Sequence, residues 1–252
     1  MSRGIVIAAG GELLLSQAYV TIGVLRHVGC HLPVEIWRSK AEEGHPLEAR
    51  IHQRYGNVSF AATDADSWQI KVAAVTFAAF DEAMLLDADN LVTRDPSYLF
   101  DAPAYRKEGA AFWSDIVDIR PTAPAWAQFG LEGQSVRAFE SGQLIVDRRR
   151  HKAAIETCWA MVQIPDTFGV VYGDKDVWLL GWMKAKAPFA RCPYPPTVTG
   201  HISIQHDWLG SEVVQHLRRK MRFDGIRDDT PGLVNGLFAH VLAKELREPV
   251  NV

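Results

Sequence analysis

Two aspartates, Asp87 and Asp89, follow an apolar run in the stretch MLLDADNLVTRDP, which spans residues 84–96. If the run is a strand that includes both of them, their side chains point to the same side, because side chains alternate along a strand. Neighbouring carboxylates repel each other, and a shared Mg²⁺ or Mn²⁺ ion removes the repulsion while using the oxygen ligands that such ions prefer. The pair therefore indicates a metal site. Turn capping is the alternative, since Asp89-Asn90 is a favourable turn pair.

An alternation of strands and helices precedes these aspartates. Helical periodicity, a proline at the start of the second helix and Ser67 as the N-cap of the third support the helices. The β-α-β alternation predicts a mostly parallel sheet with helices on both faces, whose strand carboxyl ends form the ligand-binding edge. The predicted strands are 4–11, 32–39, 57–62 and 81–90, and the predicted helices are 12–29, 46–56 and 67–80.

The pattern of the chain changes after the aspartates, although no linker divides it. Proline and glycine punctuation predicts an irregular segment over 121–133. A hairpin with its turn at DWLG is predicted over 201–217. The other predicted elements are a helical turn and loop at 95–109, a strand at 110–115, a strand feeding a helix at 141–162, a loop and helix at 172–187, and a closing helix at 232–248.

Composition narrows the class of protein. The 252 residues are 48% hydrophobic and 23% charged, which suits one large α/β domain with a sizeable core. The net charge of −3 argues against an extended nucleic-acid surface. Cys30, Cys158 and Cys192 are too far apart for a disulfide framework or a metal-ligand motif. The N-terminal apolar run is too short for a signal peptide or a membrane span, so we expect a cytoplasmic protein.

Two enzyme classes carry a pair of aspartates in such a setting. LLDADNLV resembles the phosphatase signature of the haloacid dehalogenase superfamily, which makes Asp87 the nucleophile and Asp89 the general acid. That signature usually lies on the first strand with Thr or Val where this chain has Leu91, and its later acidic pair would be Asp228-Asp229. The second class is the sugar-nucleotide glycosyltransferases. In their D-x-D motif, a cation bridges both carboxylates and the donor diphosphate.

Seven segments around the aspartates favour the second class. Read in order, the chain resembles a GT-A glycosyltransferase, specifically the Mnn1-like fungal α-mannosyltransferases, with a wider similarity to glycogenin-like retaining enzymes. The resemblance runs from about residue 4 to about residue 220 and implies an α/β, Rossmann-like nucleotide-diphospho-sugar transferase fold with a mixed central sheet. The segments are GIVIAAGG, LRHVGCHLPVEIW, WQIKVAAVTFAAFDEAMLLDADNLVTRDPSYLFD, GAAFWSD, ESGQLIVD, YGDKDVWLLGW and QHD.

The resemblance implies a metal site and a division of the chain. Mn²⁺ or Mg²⁺ would be held by Asp87, Asp89 and a late histidine. His216, in VVQHLRRK, is the leading candidate, and His206 and His201 are the alternatives. A single domain over 1–252 would comprise a nucleotide-binding half, 1–94, and an acceptor and metal-completing half, 95–252. The basic residues Arg218, Arg219 and Lys220 would lie near the donor diphosphate.

The resemblance also implies donor contacts and catalytic residues. Ala8, Ala9 and Gly10 would lie near the base and ribose, because a glycine lets the backbone approach a ligand closely. Lys71 would reach the nucleotide or its phosphates. The other implied sugar or catalytic contacts are Glu140, Gln143, Asp174 and Asp176, and Glu140 stands where the resembled enzymes have asparagine.

The implied activity is metal-dependent transfer of a hexose, mannose first, with retention of configuration. The donor would be GDP-mannose or a UDP-hexose, and the acceptor a glycan or another hydroxyl compound. The resembled fungal enzymes are membrane-anchored, and for this chain we expect peripheral association with a membrane instead. The net charge predicts no nucleic-acid partner. Two alternatives stay open: a phosphatase that uses Asp87 as nucleophile, and a non-catalytic domain that binds a sugar nucleotide or glycan.

Overall fold

The computed structural model describes residues 1–120, 122–217 and 233–246. Within them, seven strands form a central sheet in the order β3-β2-β1-β4-β7-β6-β8, and four form a second sheet in the order β5-β11-β10-β9. The strands are β1 (Arg3–Ala8), β2 (Val34–Ser39), β3 (Val58–Thr63), β4 (Glu82–Leu86), β5 (Asn90–Val92), β6 (Ala110–Ile119), β7 (Val136–Asp147), β8 (Ala190–Arg191), β9 (Thr197–Thr199), β10 (Ile202–His206) and β11 (Glu212–Leu217).

The central sheet is mixed, as expected. Strands β1 to β4 run parallel to one another, and β1 lies between β2 and β4. Strand β7 enters antiparallel between β4 and β6. The strands from the second half of the chain thus complete a sheet that the first half begins.

Helices cover both faces of this sheet. Along β1, Ile5 and Ile7 enter a core that contains residues of α1 (Gly11–His27) and α9 (Gly236–Glu245). Val6 enters a core with residues of α3 (Gln69–Phe77), α6 (Lys152–Val162) and α8 (Asp174–Lys184). This alternation builds a three-layer α/β/α arrangement.

No helix in the described residues is long and apolar enough to cross a bilayer. The helices are α1 (Gly11–His27), α2 (Pro46–Arg54), α3 (Gln69–Phe77), α4 (Pro103–Glu108), α5 (Pro124–Gln128), α6 (Lys152–Val162), α7 (Thr167–Val170), α8 (Asp174–Lys184) and α9 (Gly236–Glu245).

The predicted hairpin is confirmed and forms the centre of the second sheet. Strands β10 and β11 pair antiparallel, and Asp207 Oδ1 closes the turn by accepting from the backbone N–H groups of Leu209 and Ser211. Strand β11 also pairs with β5, which places His216 opposite Asn90. This pairing brings a late histidine beside the aspartate motif.

Three predicted elements differ from the structure. The strand predicted over 81–90 ends at Leu86, and the chain resumes in the other sheet as β5, so Asp87 and Asp89 lie in a turn. The prediction that Ser67 caps a helix is wrong, since α3 begins at Gln69 and Ser67 has a φ of +51°. The segment predicted as irregular contains α5, which begins at Pro124, a residue type whose fixed φ suits the first helical position.

Candidate active site

The turn that carries the two aspartates is fixed from several sides. The buried hydroxyl of Thr21, on α1, lies 2.6 Å from the carbonyl oxygen of Ala88 and 3.1 Å from that of Asn90. Asp87 donates its backbone N–H to the carbonyl of Gly142 at 2.8 Å, and Asn90 Nδ2 donates to the same carbonyl at 2.6 Å. The turn is therefore anchored to a helix on one side and to β7 on the other.

Replacement of Thr21 by valine tests this anchoring. The Thr21→Val protein is expected to lose about 1–3 kcal/mol of unfolding free energy, because buried carbonyl oxygens lose their hydroxyl donor. Urea denaturation measures the loss. Thr157→Val is the matched control, since the half-buried Thr157 donates its hydroxyl to the carbonyl of Ala153 in its own helix through a solvent-exposed hydrogen bond. Equal stability of the two variants would contradict the anchoring role.

The aspartate turn and β11 form a cluster that fits a divalent ion. Asp87, Asp89 and His216 each offer one ligand atom, and these atoms all lie within 4.8 Å of one another. His216 Nε2 lies 3.5 Å from Asp89 Oδ1. Two carboxylate oxygens and one imidazole nitrogen are a suitable donor set for Mn²⁺ and, through the carboxylates, for Mg²⁺.

Of the three candidate histidines, His216 is the one that the structure brings to the aspartates. His206 ends β10 and lies beside Tyr194, with 6.5 Å between ring centroids. His201 is exposed on the turn before β10. In the described residues, neither belongs to a group of three side chains that could hold a metal ion.

Glu140 and Gly142, on β7, pack against His216. Glu140 Oε1 accepts the backbone N–H of Gly142 at 3.0 Å and lies 3.5 Å from His216 Nδ1. A Cβ atom on Gly142 would lie 3.0 Å from Asn90 Nδ2 and 3.2 Å from His216 Nδ1. A side chain at this position would therefore push these neighbours back by a few tenths of an ångström.

The charges of the cluster compensate one another. Burial raises the pKa of Asp89 to about 6, although His216 opposes the shift. Burial would lower the pKa of His216, but Glu140 and Asp89 outweigh it and raise the pKa to about 9. Burial would raise the pKa of Glu140, but the nearby His216, whose Nδ1 lies 3.5 Å from Glu140 Oε1, lowers it to about 2. The acidic groups are thus arranged to stabilise a positive charge between them.

Lys71, on α3, forms a second group of charged side chains with Asp87 and Asp174, next to the metal cluster. Its ammonium lies 2.7 Å from Asp87 Oδ1 and 3.6 Å from Asp174 Oδ1, and all three side chains are largely buried. Burial disfavours the charged lysine, but Asp174 and Asp87 outweigh it and raise the pKa. Asp174, whose own pKa is raised by burial, also accepts from Trp178 Nε1 at 3.2 Å. Lys71 is thus held charged beside the metal cluster.

A first cleft, of about 390 Å³, opens at the carboxyl ends of β1 and β2. Five residues predicted to contact the donor line it, together with Asp89 and eight residues that sequence reasoning missed. The predicted five are Ala8, Ala9, Gly10, Lys71 and Asp87, and the missed eight are Leu14, Ser39, Glu42, Asp66, Ser67, Trp68, Ile70 and Ala88.

Three of the missed residues carried a sequence signal. Ser39 and Glu42 have the S-x-x-E spacing of a capping box, and Glu42 Oε2 accepts from Ser39 Oγ at 2.8 Å. The Glu42 carboxylate occupies the space where a Cβ atom on Gly10 would lie. Trp68 precedes Lys71 by three residues, a spacing that places two side chains on one side of a helix.

A second cleft, of about 1010 Å³, lies on the other side of the cluster. Asp89, Glu140, Asp176 and His216 line it, and so does Tyr172, which is 80% exposed. Asp176 Oδ2 accepts the backbone N–H of Tyr172 at 2.7 Å, and burial raises the pKa of the Asp176 carboxyl. Because Asp89 lines both clefts, the metal cluster lies where they meet.

Gln143 and Asp174 lie away from both cleft walls. Gln143 is fully buried, pairs with Leu86 across the sheet and lies 3.4 Å from Asn90 Nδ2 through its Oε1 atom. Asp174 is 4% exposed and contacts Lys71. Both side chains lie next to residues of the site, and contact of either with a sugar stays a prediction. Arg218, Arg219 and Lys220 lie outside the described residues.

The fold and the aspartate cluster define the class of protein. A structure of the galactosyltransferase LgtC with donor and acceptor sugar analogs superimposes with a TM-score of 0.62 and 14% identity, covering 98% of both chains. The glycosyltransferase GlyE of Streptococcus pneumoniae gives a TM-score of 0.52 and 16% identity over 77% of this chain and 46% of its own. At these identities the likeness is one of fold, and the fold is that of the GT-A glycosyltransferases.

The chain belongs to the Mannosyl_trans3 family, described as "Mannosyltransferase putative", whose profile matches residues 2–129 and 127–223. The alpha-1,2-mannosyltransferases MNN22 and MNN21 of Candida albicans are 28% and 30% identical to it over 135 and 141 residues, 48% of this chain in each case. The matched stretches cover 23% and 21% of those relatives. The predicted resemblance to fungal α-mannosyltransferases is thus confirmed.

Proposed function

We propose that this chain is a metal-dependent mannosyltransferase domain that transfers mannose, with retention of configuration, from a nucleotide-activated donor to a hydroxyl acceptor. One observation carries the proposal: Asp87, Asp89 and His216 form a divalent-ion donor set at the junction of two clefts. The sugar is proposed from the family and from its α-mannosyltransferase relatives. Retention follows the resemblance to glycogenin-like enzymes.

The two clefts support a division of labour along the chain. The first is lined by residues before position 90, and the second, apart from Asp89, by residues after position 114. This supports a nucleotide-binding half over 1–94 and an acceptor and metal-completing half over 95–252. The donor nucleotide would occupy the first cleft, with Ala8, Ala9 and Gly10 next to the base and ribose, and the acceptor would occupy the second.

The residues at the junction would divide the chemistry. Asp87, Asp89 and His216 would hold Mn²⁺ or Mg²⁺, and the bound ion supplies Lewis-acid stabilisation of the departing diphosphate. Lys71 faces the first cleft beside Asp87 and would place its charge near the phosphates. Asp174 would keep Lys71 in place.

The acceptor side has its own polar group. Asp176 lines the second cleft and is fixed by the N–H of Tyr172, which suits it to accept a hydrogen bond from a sugar hydroxyl. An acceptor hydroxyl bound in this cleft would attack by the front-face route, in which the new bond forms on the side that the diphosphate leaves and configuration is retained.

Donor binding can be measured without a known acceptor. Mn²⁺ plus GDP-mannose is expected to raise the melting temperature by about 5–10 °C at a hundred times the Kd, because a ligand that binds only the folded state at that concentration adds about 2.7 kcal/mol. UDP- and ADP-sugars with Mn²⁺, and each donor without it, are the comparison arms. A larger shift with a UDP-hexose would assign that donor.

Three results would point elsewhere. Shifts that are equal with and without Mn²⁺ would contradict a metal-dependent site. Phosphate release from generic monoesters, without dependence on a nucleotide sugar, would support the phosphatase alternative. Donor binding without transfer or donor hydrolysis would support a non-catalytic binding domain.

A further inference from the structure

The two ring nitrogens of His216 face different carboxylates. Nε2 lies 3.5 Å from Asp89 Oδ1, and Nδ1 lies 3.5 Å from Glu140 Oε1. An imidazole that binds a metal ion is neutral, with a proton on one nitrogen and a lone pair on the other. The nitrogen that bears the proton therefore decides whether His216 can offer a lone pair toward the aspartates.

Glu140 is fixed relative to this ring. Its Oε1 atom, the one nearest to Nδ1, also accepts the backbone N–H of Gly142 at 3.0 Å. The absence of a side chain at Gly142 allows both groups to approach, because a Cβ atom there would lie 3.3 Å from Glu140 Oε1 and 3.2 Å from His216 Nδ1. The Glu140 side chain is only 13% exposed, so the carboxylate has little freedom to turn away.

Glu140 also stands apart from the cluster that would hold the ion. In the part of the chain that the structure describes, the group of mutually close ligand atoms comprises Asp87, Asp89 and His216 and leaves Glu140 out. The geometry thus separates two carboxylates that contact the same histidine: Asp89 lies beside the ion position, and Glu140 lies behind the ring.

In the structure, the buried Nδ1 of His216 has no hydrogen-bond partner, and Glu140 Oε1 lies 3.5 Å from it. We infer that Glu140 is a positioning residue, which would accept the Nδ1–H of His216 when the divalent ion binds and so keep the Nε2 lone pair directed at the ion. This inference rests on the proposed function, since it takes Asp87, Asp89 and His216 as the metal ligands. A carboxylate behind a ligating histidine fixes the tautomer and the ring orientation and raises the basicity of the ligand nitrogen. Glu140 thereby acts on metal affinity through the histidine and is not itself a ligand of the ion.

Mn²⁺ binding to the full chain, with no nucleotide present, tests the inference. Electron paramagnetic resonance of free Mn²⁺ gives the Kd of each variant. Glu140→Leu is expected to weaken binding about 10- to 100-fold, the usual effect of losing such an outer partner. Glu140→Gln keeps an acceptor oxygen for Nδ1–H and should fall between Glu140→Leu and the wild type.

Glu212→Leu is the matched control. Glu212 is a half-buried glutamate on β11, the strand of His216, and lies outside the metal cluster and both clefts. Its substitution is expected to leave the Kd for Mn²⁺ within about twofold of the wild-type value, because it removes the same charge without contacting the histidine. Circular dichroism reports whether each variant is folded. If Glu140→Leu is unfolded, Glu140→Gln takes its place in the comparison.

A spectroscopic signature separates positioning from a structural role. Wild-type protein saturated with Mn²⁺ is expected to show hyperfine coupling to a ¹⁴N nucleus, which His216→Ala abolishes and Glu140→Leu weakens. Unchanged Mn²⁺ affinity and coupling in Glu140→Leu would overturn the inference alone. A loss in Glu140→Gln as large as in Asp89→Asn would make Glu140 a ligand and would also overturn it. Wild-type protein that binds no Mn²⁺ would instead overturn the proposed metal site.

Discussion

Asp87→Asn and Asp89→Asn are each expected to lower kcat/KM for mannosyl transfer about a thousand-fold. The change keeps the shape of the side chain and removes one charged oxygen ligand. A bound divalent ion contributes several kcal/mol of charge stabilisation to the transition state, and each 1.36 kcal/mol corresponds to a factor of ten in rate. The measurement is transfer from GDP-mannose to a mannoside acceptor at fixed Mn²⁺, with donor hydrolysis followed in parallel.

The matched control for both variants is Asp64→Asn. Asp64 is an exposed aspartate that pairs with Lys40 and lines neither cleft. Its substitution removes the same charge from the same part of the chain and should leave transfer within about twofold of the wild-type rate, because exposed charges are screened. Full transfer and donor hydrolysis by Asp87→Asn would contradict the proposed role of the aspartate pair.

Lys71→Met is expected to destabilise the metal-free protein by about 3–5 kcal/mol, the usual cost of removing one member of a buried ion pair. The methionine fills similar volume, but Asp87 and Asp174 then share a largely buried space without a compensating charge. Urea denaturation measures the loss. The double variant Lys71→Met/Asp87→Asn should recover part of it, because one uncompensated carboxylate becomes a neutral amide.

Lys40→Met is the control for this prediction. Lys40 pairs with Asp64 at 2.8 Å, yet both side chains are exposed, and exposed ion pairs contribute little to stability. Similar unfolding free energies for Lys71→Met and Lys40→Met would show that the buried group does not depend on Lys71. A double variant no more stable than Lys71→Met would show that the loss arises elsewhere.

Local patterns predicted much of the first half of the chain. Strands β1 to β3 and helices α1 and α2 lie within a few residues of their predicted bounds, since apolar runs, helical periodicity and Pro46 are all encoded nearby in sequence. The end of β4 was not predictable in this way. Leu91 and Val92 continue the apolar character after Asp89, so local pattern could not show that the chain changes sheets there.

The roles of the two aspartates on α8 could not be predicted from local sequence either. The sequence places Asp174 and Asp176 in the first turn of a helix, where carboxylates are favoured by the helix dipole. Side chains two positions apart on a helix point to different sides, so only the packing of α8 determines which of the two aspartates faces the cleft. In the structure Asp174 faces Lys71 in the interior, and Asp176 lines the second cleft.

By itself the sequence determined the type of site, which is two carboxylates one residue apart at the end of a strand. It also showed that the surrounding α/β chain resembles mannosyltransferases. The tertiary structure decided which histidine joins them. His216 reaches Asp89 because β11 pairs with β5, and His201 and His206 lie on or before the neighbouring strand. Pairing between strands so distant along the chain depends on how the sheet assembles, and that information is absent from any short stretch of residues.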